Sequence, residues 1–136
     1  MQRLARMIPL LLVVLPHAAE ARQRDVLRER FVYLDDDLTI DVLAQAPGSL
    51  HLLRGRPGMI DVTGRTRHGF AGFGLSDGVV GRLQLTAVGA DHVDYLVVVP
   101  EDVRVRIRLP GQELSEVFGP LRDSATYHWP RSEPPR

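Results

Sequence analysis

From Phe31 onward the apolar positions of this chain recur every second residue. Leu38, Ile40 and Val42 alternate with Thr39 and Asp41. Val93, Tyr95, Val97 and Val99 do the same, with further apolar residues at Leu96 and Val98. Val103, Val105, Ile107 and Leu109 alternate strictly with Arg104, Arg106 and Arg108. A period of two places one set of side chains on a core and the other in water, so these runs predict β-strands. The doubly apolar stretch from Leu96 to Val99 predicts a central strand. Pro100 interrupts the ladder because it has no N–H to donate, and Pro110-Gly111 ends it as a turn. Residues 113–119 add a last strand or a short helix.

A loose repeat lies between these runs. Gly48-Ser-Leu50-His-Leu52, Gly58-Met-Ile60-Asp-Val62 and Gly81-Arg-Leu83-Gln-Leu85 share the order glycine, any residue, aliphatic, polar, aliphatic, and Gly69-Phe70-Ala-Gly-Phe73 is a degraded copy. The leading glycines stand 10, 11 and 12 residues apart. Each unit reads as a turn glycine, free to take positive φ, followed by a half-buried strand. That spacing suits a β-sandwich or barrel and equally a short-coil β-solenoid.

The N-terminus follows a different pattern. Arg3 and Arg6 precede an apolar run from Met7 to Leu15, and Ala19-Glu20-Ala21 is a small-x-small cleavage site. This is the layout of a secretory signal over residues 1–21. The run is shorter than the ~20 apolar residues that cross a bilayer, so no stable membrane span is expected. Residues 22–30 read as a charged linker, 31–119 as one β-domain, and 120–136 as a Pro-rich, partly disordered tail that Tyr127 and Trp129 pin to the body.

Composition narrows the chemistry. There is no cysteine, which removes disulfides, thiolate metal sites and thiol nucleophiles. Past the leader the basic and acidic residues nearly balance, so no global field draws nucleic acid or an anionic membrane. Every basic residue among the 17 Lys plus Arg is arginine.

The stretch VDYLVVVPEDVRVRIRLPG is similar to the end of a bacterial adhesin-like domain family of unknown function, through Val97, Val99, Pro100, Val103, Val105, Ile107 and Gly111. The Gly-led units upstream resemble that family's repeated strands, so the likeness covers roughly residues 38–111. It implies a solenoid-like or rolled β fold and a place in the envelope or outside the cell. It implies no catalytic residues.

Four groups of side chains are candidates for function. Arg104, Arg106 and Arg108 project from one face of one strand at about 6.6–6.8 Å spacing, which suits a sulfated or phosphorylated glycan; a solvated outer face, or cross-strand pairing with acidic neighbours, is the plainer alternative. Asp35, Asp36, Asp37 and Asp41 form an acidic turn without the Gly of a calcium loop. His51 and Asp61 occupy the polar slots of Gly-led strands and share a face if those strands are neighbours. His68, His92 and His128 lack metal-ligand spacing. No serine stands in a G-x-S-x-G frame, and the Gly69–Gly74 segment lacks the setting of a nucleotide loop.

These observations predict an all-β domain of about eight or nine short strands. A solenoid-like β-roll is the first reading and a β-sandwich the second. The predicted core is Leu38, Ile40, Val42, Leu50, Leu52, Ile60, Val62, Phe70, Phe73, Leu83, Leu85, Val93, Tyr95, Val97, Val99, Val103, Val105 and Ile107. The function expected is that of an exported, non-catalytic adhesin-like domain. Its expected partner is an envelope glycan or surface protein, bound through Arg104, Arg106 and Arg108, with no nucleic acid, metal or cofactor. The alternative is a small exported enzyme or metal-dependent binding protein whose site forms only in three dimensions.

Overall fold

Strands account for most of the chain because its alternating runs have two sheets to pack between. The structure, a computed structural model, describes residues 24–76, 81–112 and 115–130. The leader-like segment and the last six residues lie outside the described residues. Ten strands occur, and among the described residues there is no helix: β1 (Arg24–Val32), β2 (Asp37–Val42), β3 (Gly48–Gly55), β4 (Met59–Arg67), β5 (Phe70–Ser76), β6 (Gly81–Val88), β7 (His92–Pro100), β8 (Arg104–Arg108), β9 (Glu116–Phe118) and β10 (Ser124–Trp129). One sheet has the order β1-β4-β7-β3-β10 and the other β5-β6-β2-β8-β9. Both are mixed: β3–β7, β2–β6 and β2–β8 are parallel, and the remaining pairs are antiparallel.

The inward positions of both sheets form one core. Leu50, Leu52, Ile60, Val62, Val93, Val97 and Val99 come from the first sheet, and Leu38, Ile40, Leu83, Leu85, Val105, Ile107 and Phe118 from the second. This is a sandwich-like arrangement, and it corrects the solenoid-like reading. The Gly-led units do not stack as successive coils. Those at Gly48 and Gly58 enter the first sheet as β3 and β4, separated there by β7, whereas the one at Gly81 enters the second sheet as β6.

Their glycines are also there for different reasons. Gly58 has φ +79°, as a turn glycine should. Gly48 and Gly81 open their strands without positive φ. A Cβ on Gly48 would strike the Val93 carbonyl, and one on Gly81 would strike the Tyr33 ring, so both are required by close approach.

Three other expectations change. Arg24–Val32 is β1, an edge strand, where the charge pattern reads a linker. Ser124–Trp129 is β10, the opposite edge, where the prolines read a tail. Trp129 is buried, donates from Nε1 to the Ala46 carbonyl at 2.9 Å, and stacks on Tyr95 with centroids 6.3 Å apart. Phe70 is not core: it is 68% exposed on the outward face of β5, while Phe73 turns inward and meets Tyr95 edge-on.

Arg54 closes one end of the sandwich. It continues the inward set of β3 after Leu50 and Leu52, where the core runs out. Its Nη1 donates to the carbonyls of Pro100 (2.9 Å) and Val103 (2.5 Å), and its Nη2 to those of Phe118 (3.2 Å) and Gly119 (2.6 Å). Its Nε donates to the Arg122 carbonyl at 3.2 Å. The guanidinium carbon lies 4.5 Å from the centre of the Phe118 ring. Partial burial lowers the Arg54 pKa, and the nearby Asp102 charge opposes that shift. One cation therefore ties β3 to the β7–β8 connection, to β9 and to the turn before β10.

Candidate functional site

Alternation along β8 turns Val105 and Ile107 into the core and Arg104, Arg106 and Arg108 out to water. Parallel pairing with β2 sets Asp37 beside Arg104, Thr39 beside Arg106 and Asp41 beside Arg108. The acidic neighbours that cross-strand pairing needs are thus present. Even so, none of the three arginines makes an ion pair with a carboxylate among the described residues. On the other side of β2, β6 sets Arg82 beside Thr39 and Gln84 beside Asp41. On β2, β6 and β8 together, four outward arginines face two aspartates, so this face carries a net positive charge.

Asp41 is the unusual member. It points outward, yet it is only 5% exposed. Its flanking residues by register, Gln84 and Arg108, both have long side chains, and such stems readily cover a shorter one. Its Oδ2 forms an ion pair with Arg82 Nε at 3.2 Å, and its Oδ1 is buried with no hydrogen-bond partner. Asp41 thus holds Arg82 in place and leaves the β8 arginines unengaged.

Next to β6, β5 turns Gly72, Gly74 and Ser76 outward. A Cβ on Gly74 would meet nothing within 4 Å. The outward face of this sheet therefore runs from a bare edge on β5 to an arginine row on β8.

The other candidates are dispersed. Asp35 and Asp36 line an open depression of about 200 Å³ with Asp102 and Tyr33, whereas Asp37 and Asp41 belong to β2. Among the described residues no group of three or more acidic or histidine side chains is placed to hold a metal ion. His51 and Asp61 do share a face, as their slots suggest, but β7 runs between their strands. His51 Nδ1 lies 2.5 Å from Thr126 Oγ1, and Asp61 accepts from Arg30 Nε at 2.6 Å.

The same face brings a serine, an aspartate and a histidine together. Ser49 Oγ donates to Asp94 Oδ1 at 2.6 Å, and His92 Nε2 lies 3.0 Å from that same oxygen. In a nucleophilic triad the imidazole stands between hydroxyl and carboxylate so that it can take the hydroxyl proton. Here the carboxylate occupies the middle, and no imidazole stands against the serine. A nearby hollow of about 300 Å³, lined by Arg65, Arg67, His92 and Asp94, is open to solvent.

Reading the sequence locally misses Arg82, Gly74 and the role of Asp41. Arg82 fills the unrestricted second slot of the Gly81 unit, next to its leading glycine, a signal that is visible. Only the order β5-β6-β2-β8 shows that this slot and the β8 arginines form one face. Among the described residues no helix is long and apolar enough to cross a membrane. Compared with known proteins, the chain matches no family model, no curated protein and no solved structure.

Proposed function

We propose that the protein is an exported, non-catalytic, adhesin-like β-domain that binds an anionic envelope or extracellular partner through the outward face of β2, β6 and β8. The observation that carries this reading is the row of Arg104, Arg106 and Arg108, each exposed and none in an ion pair among the described residues. A guanidinium presents five donors in a planar fork suited to sulfate, phosphate or carboxylate groups, and these three keep theirs available. The leader-like pattern of residues 1–21 supports export. The likeness of residues 97–111 to adhesin-like domains supports a surface-binding role. The Ser49–Asp94–His92 order, with no imidazole on the serine, argues against triad hydrolysis on the other face.

Retention of the protein on immobilised heparin, a sulfated glycan, tests the reading. The triple variant Arg104→Gln, Arg106→Gln, Arg108→Gln should elute at markedly lower salt, because fewer ionic contacts remain to be screened. Equal retention of parent and variant, insensitive to salt, would overturn it.

A further inference from the structure

We propose that the ligand is a linear acidic oligosaccharide that lies across the strands of the second sheet, from the bare edge at Gly74 to Arg106 and Arg108. This rests on the anion-binding reading above and names its ligand class and path. Two outward rows define the path. One runs Gly74, Gln84, Asp41, Arg108, and the next runs Ser76, Arg82, Thr39, Arg106. Three strand steps of about 4.8 Å give each row a length of roughly 14 Å, enough for several linked sugars.

The composition of the rows selects the ligand. Gln84, Thr39 and Ser76 are neutral groups that donate and accept, as hydroxyl recognition requires. Positive charge is concentrated at the β8 end. Asp41 and Arg82 pair with each other mid-face, so a polymer with a negative charge at every position finds no free cation over β5, β6 and β2. A glycan with sparse acidic groups fits this order: charge over β8, hydroxyls over β2 and β6, and chain over β5. Neither row has an aromatic side chain, so the stacking platforms used by single-stranded nucleic acids are missing from the path. Gly74 keeps the last step open, since nothing fills the space its side chain would occupy.

The experiment titrates the full chain with three probes: a hyaluronan hexasaccharide, in which carboxylate-bearing sugars alternate with neutral ones, inorganic polyphosphate of similar charge, and a neutral dextran oligosaccharide. Gly74→Trp blocks the edge without changing charge, and the backbone there does not need glycine's positive φ. It should weaken the hexasaccharide at least tenfold and leave polyphosphate within about twofold. Gln84→Ala, at an exposed position, is the second variant, and it should weaken the hexasaccharide several-fold. Arg106→Gln with Arg108→Gln should weaken both anionic probes. Thermal melting establishes that each variant is folded, and if Gly74→Trp is not, Gln84→Ala decides. Hexasaccharide affinity unchanged in the folded Gly74→Trp or in Gln84→Ala overturns this path while the arginine face stands. Polyphosphate binding as tightly as the hexasaccharide overturns the ligand class. No binding of either anion overturns the arginine face as well.

Discussion

Arg54 and Arg106 bring the same side chain to two regions of the molecule with opposite results. At the closed end of the sandwich, all three nitrogens of Arg54 donate to backbone carbonyls, and its face covers Phe118. On the outward face of β8, Arg106 has a threonine on one side and a valine on the other, and no ion pair among the described residues. The difference lies in how many donors the fold has already used, and neither charge nor residue type reveals it. An arginine with its donors engaged holds loops together. One with its donors free is available to something outside the chain.

The largest effect that sharpens this contrast lies one residue from the arginine row. Val105 is fully buried between Arg104 and Arg106. Val105→Asp places an unpaired carboxylate between the two sheets, at a cost of about 5 kcal/mol or more, and should leave the domain unfolded at 25 °C by circular dichroism. A variant melting near the parent would mean that β8 has its faces reversed. Arg54→Met comes next. It removes a donor from five carbonyls; those of Pro100 and Gly119 keep the backbone N–H groups of Val103 and Arg122, and at about 1 kcal/mol for each of the other three the loss should be about 3 kcal/mol. For a domain of this size that lowers Tm by roughly 12–24 °C. A drop of less than 3 °C would show that Arg54 is no more structural than Arg106.

The in-and-out assignment was legible because the β8 run keeps strict period two and the β7 run keeps an apolar residue at every second position from Val93 to Val99. The centrality of β7 was legible from Leu96 and Val98, which half-bury their outward side chains. Placing Phe70 in the core breaks the same rule. Positions 70 and 73 are three apart and cannot share a strand face, and the structure keeps Ala71, Phe73 and Leu75 inward. β1 was hidden because an edge strand carries charges on its rim, as Arg28, Glu29 and Arg30 do. β10 was hidden by the prolines at 120 and 130, although Ala125, Tyr127 and Trp129 alternate between them. The site was half legible. The β8 arginines announce themselves, but their assembly with Arg82, Asp41 and Gly74 depends on pairings between distant segments that no local pattern encodes.

A smaller effect separates the core from both arginine regions by pH. Tyr95 donates to the Thr86 carbonyl at 2.6 Å, and burial pushes its phenol far above the ordinary value. Tyr95→Phe should cost about 1 kcal/mol at neutral pH through the lost hydrogen bond. Above pH ~10 the unfolded chain releases a tyrosine proton that folded Tyr95 retains, so parent stability is intact below that pH and falls above it. Tyr95→Phe removes that group and should fall less steeply between pH 10 and 11 in urea denaturation. Parallel curves for the two proteins would show that the phenol is not held in its neutral form.

The smallest expected effect decides whether the two regions differ at all. Exposed side chains without ion pairs contribute within about 0.5 kcal/mol each when replaced. The triple Gln variant of Arg104, Arg106 and Arg108 should therefore melt within a few degrees of the parent. Glutamine keeps an unbranched polar side chain at each position, so charge is the main property removed. Relief of repulsion with Arg82 acts in the stabilising direction, and loss of attraction to Asp37 acts against it. Adding salt should narrow whatever difference remains, since both terms are screened at the surface. A Tm lowered by the amount expected for Arg54→Met would place the β8 arginines among the fold's own supports, and their free donors would no longer point to an external ligand.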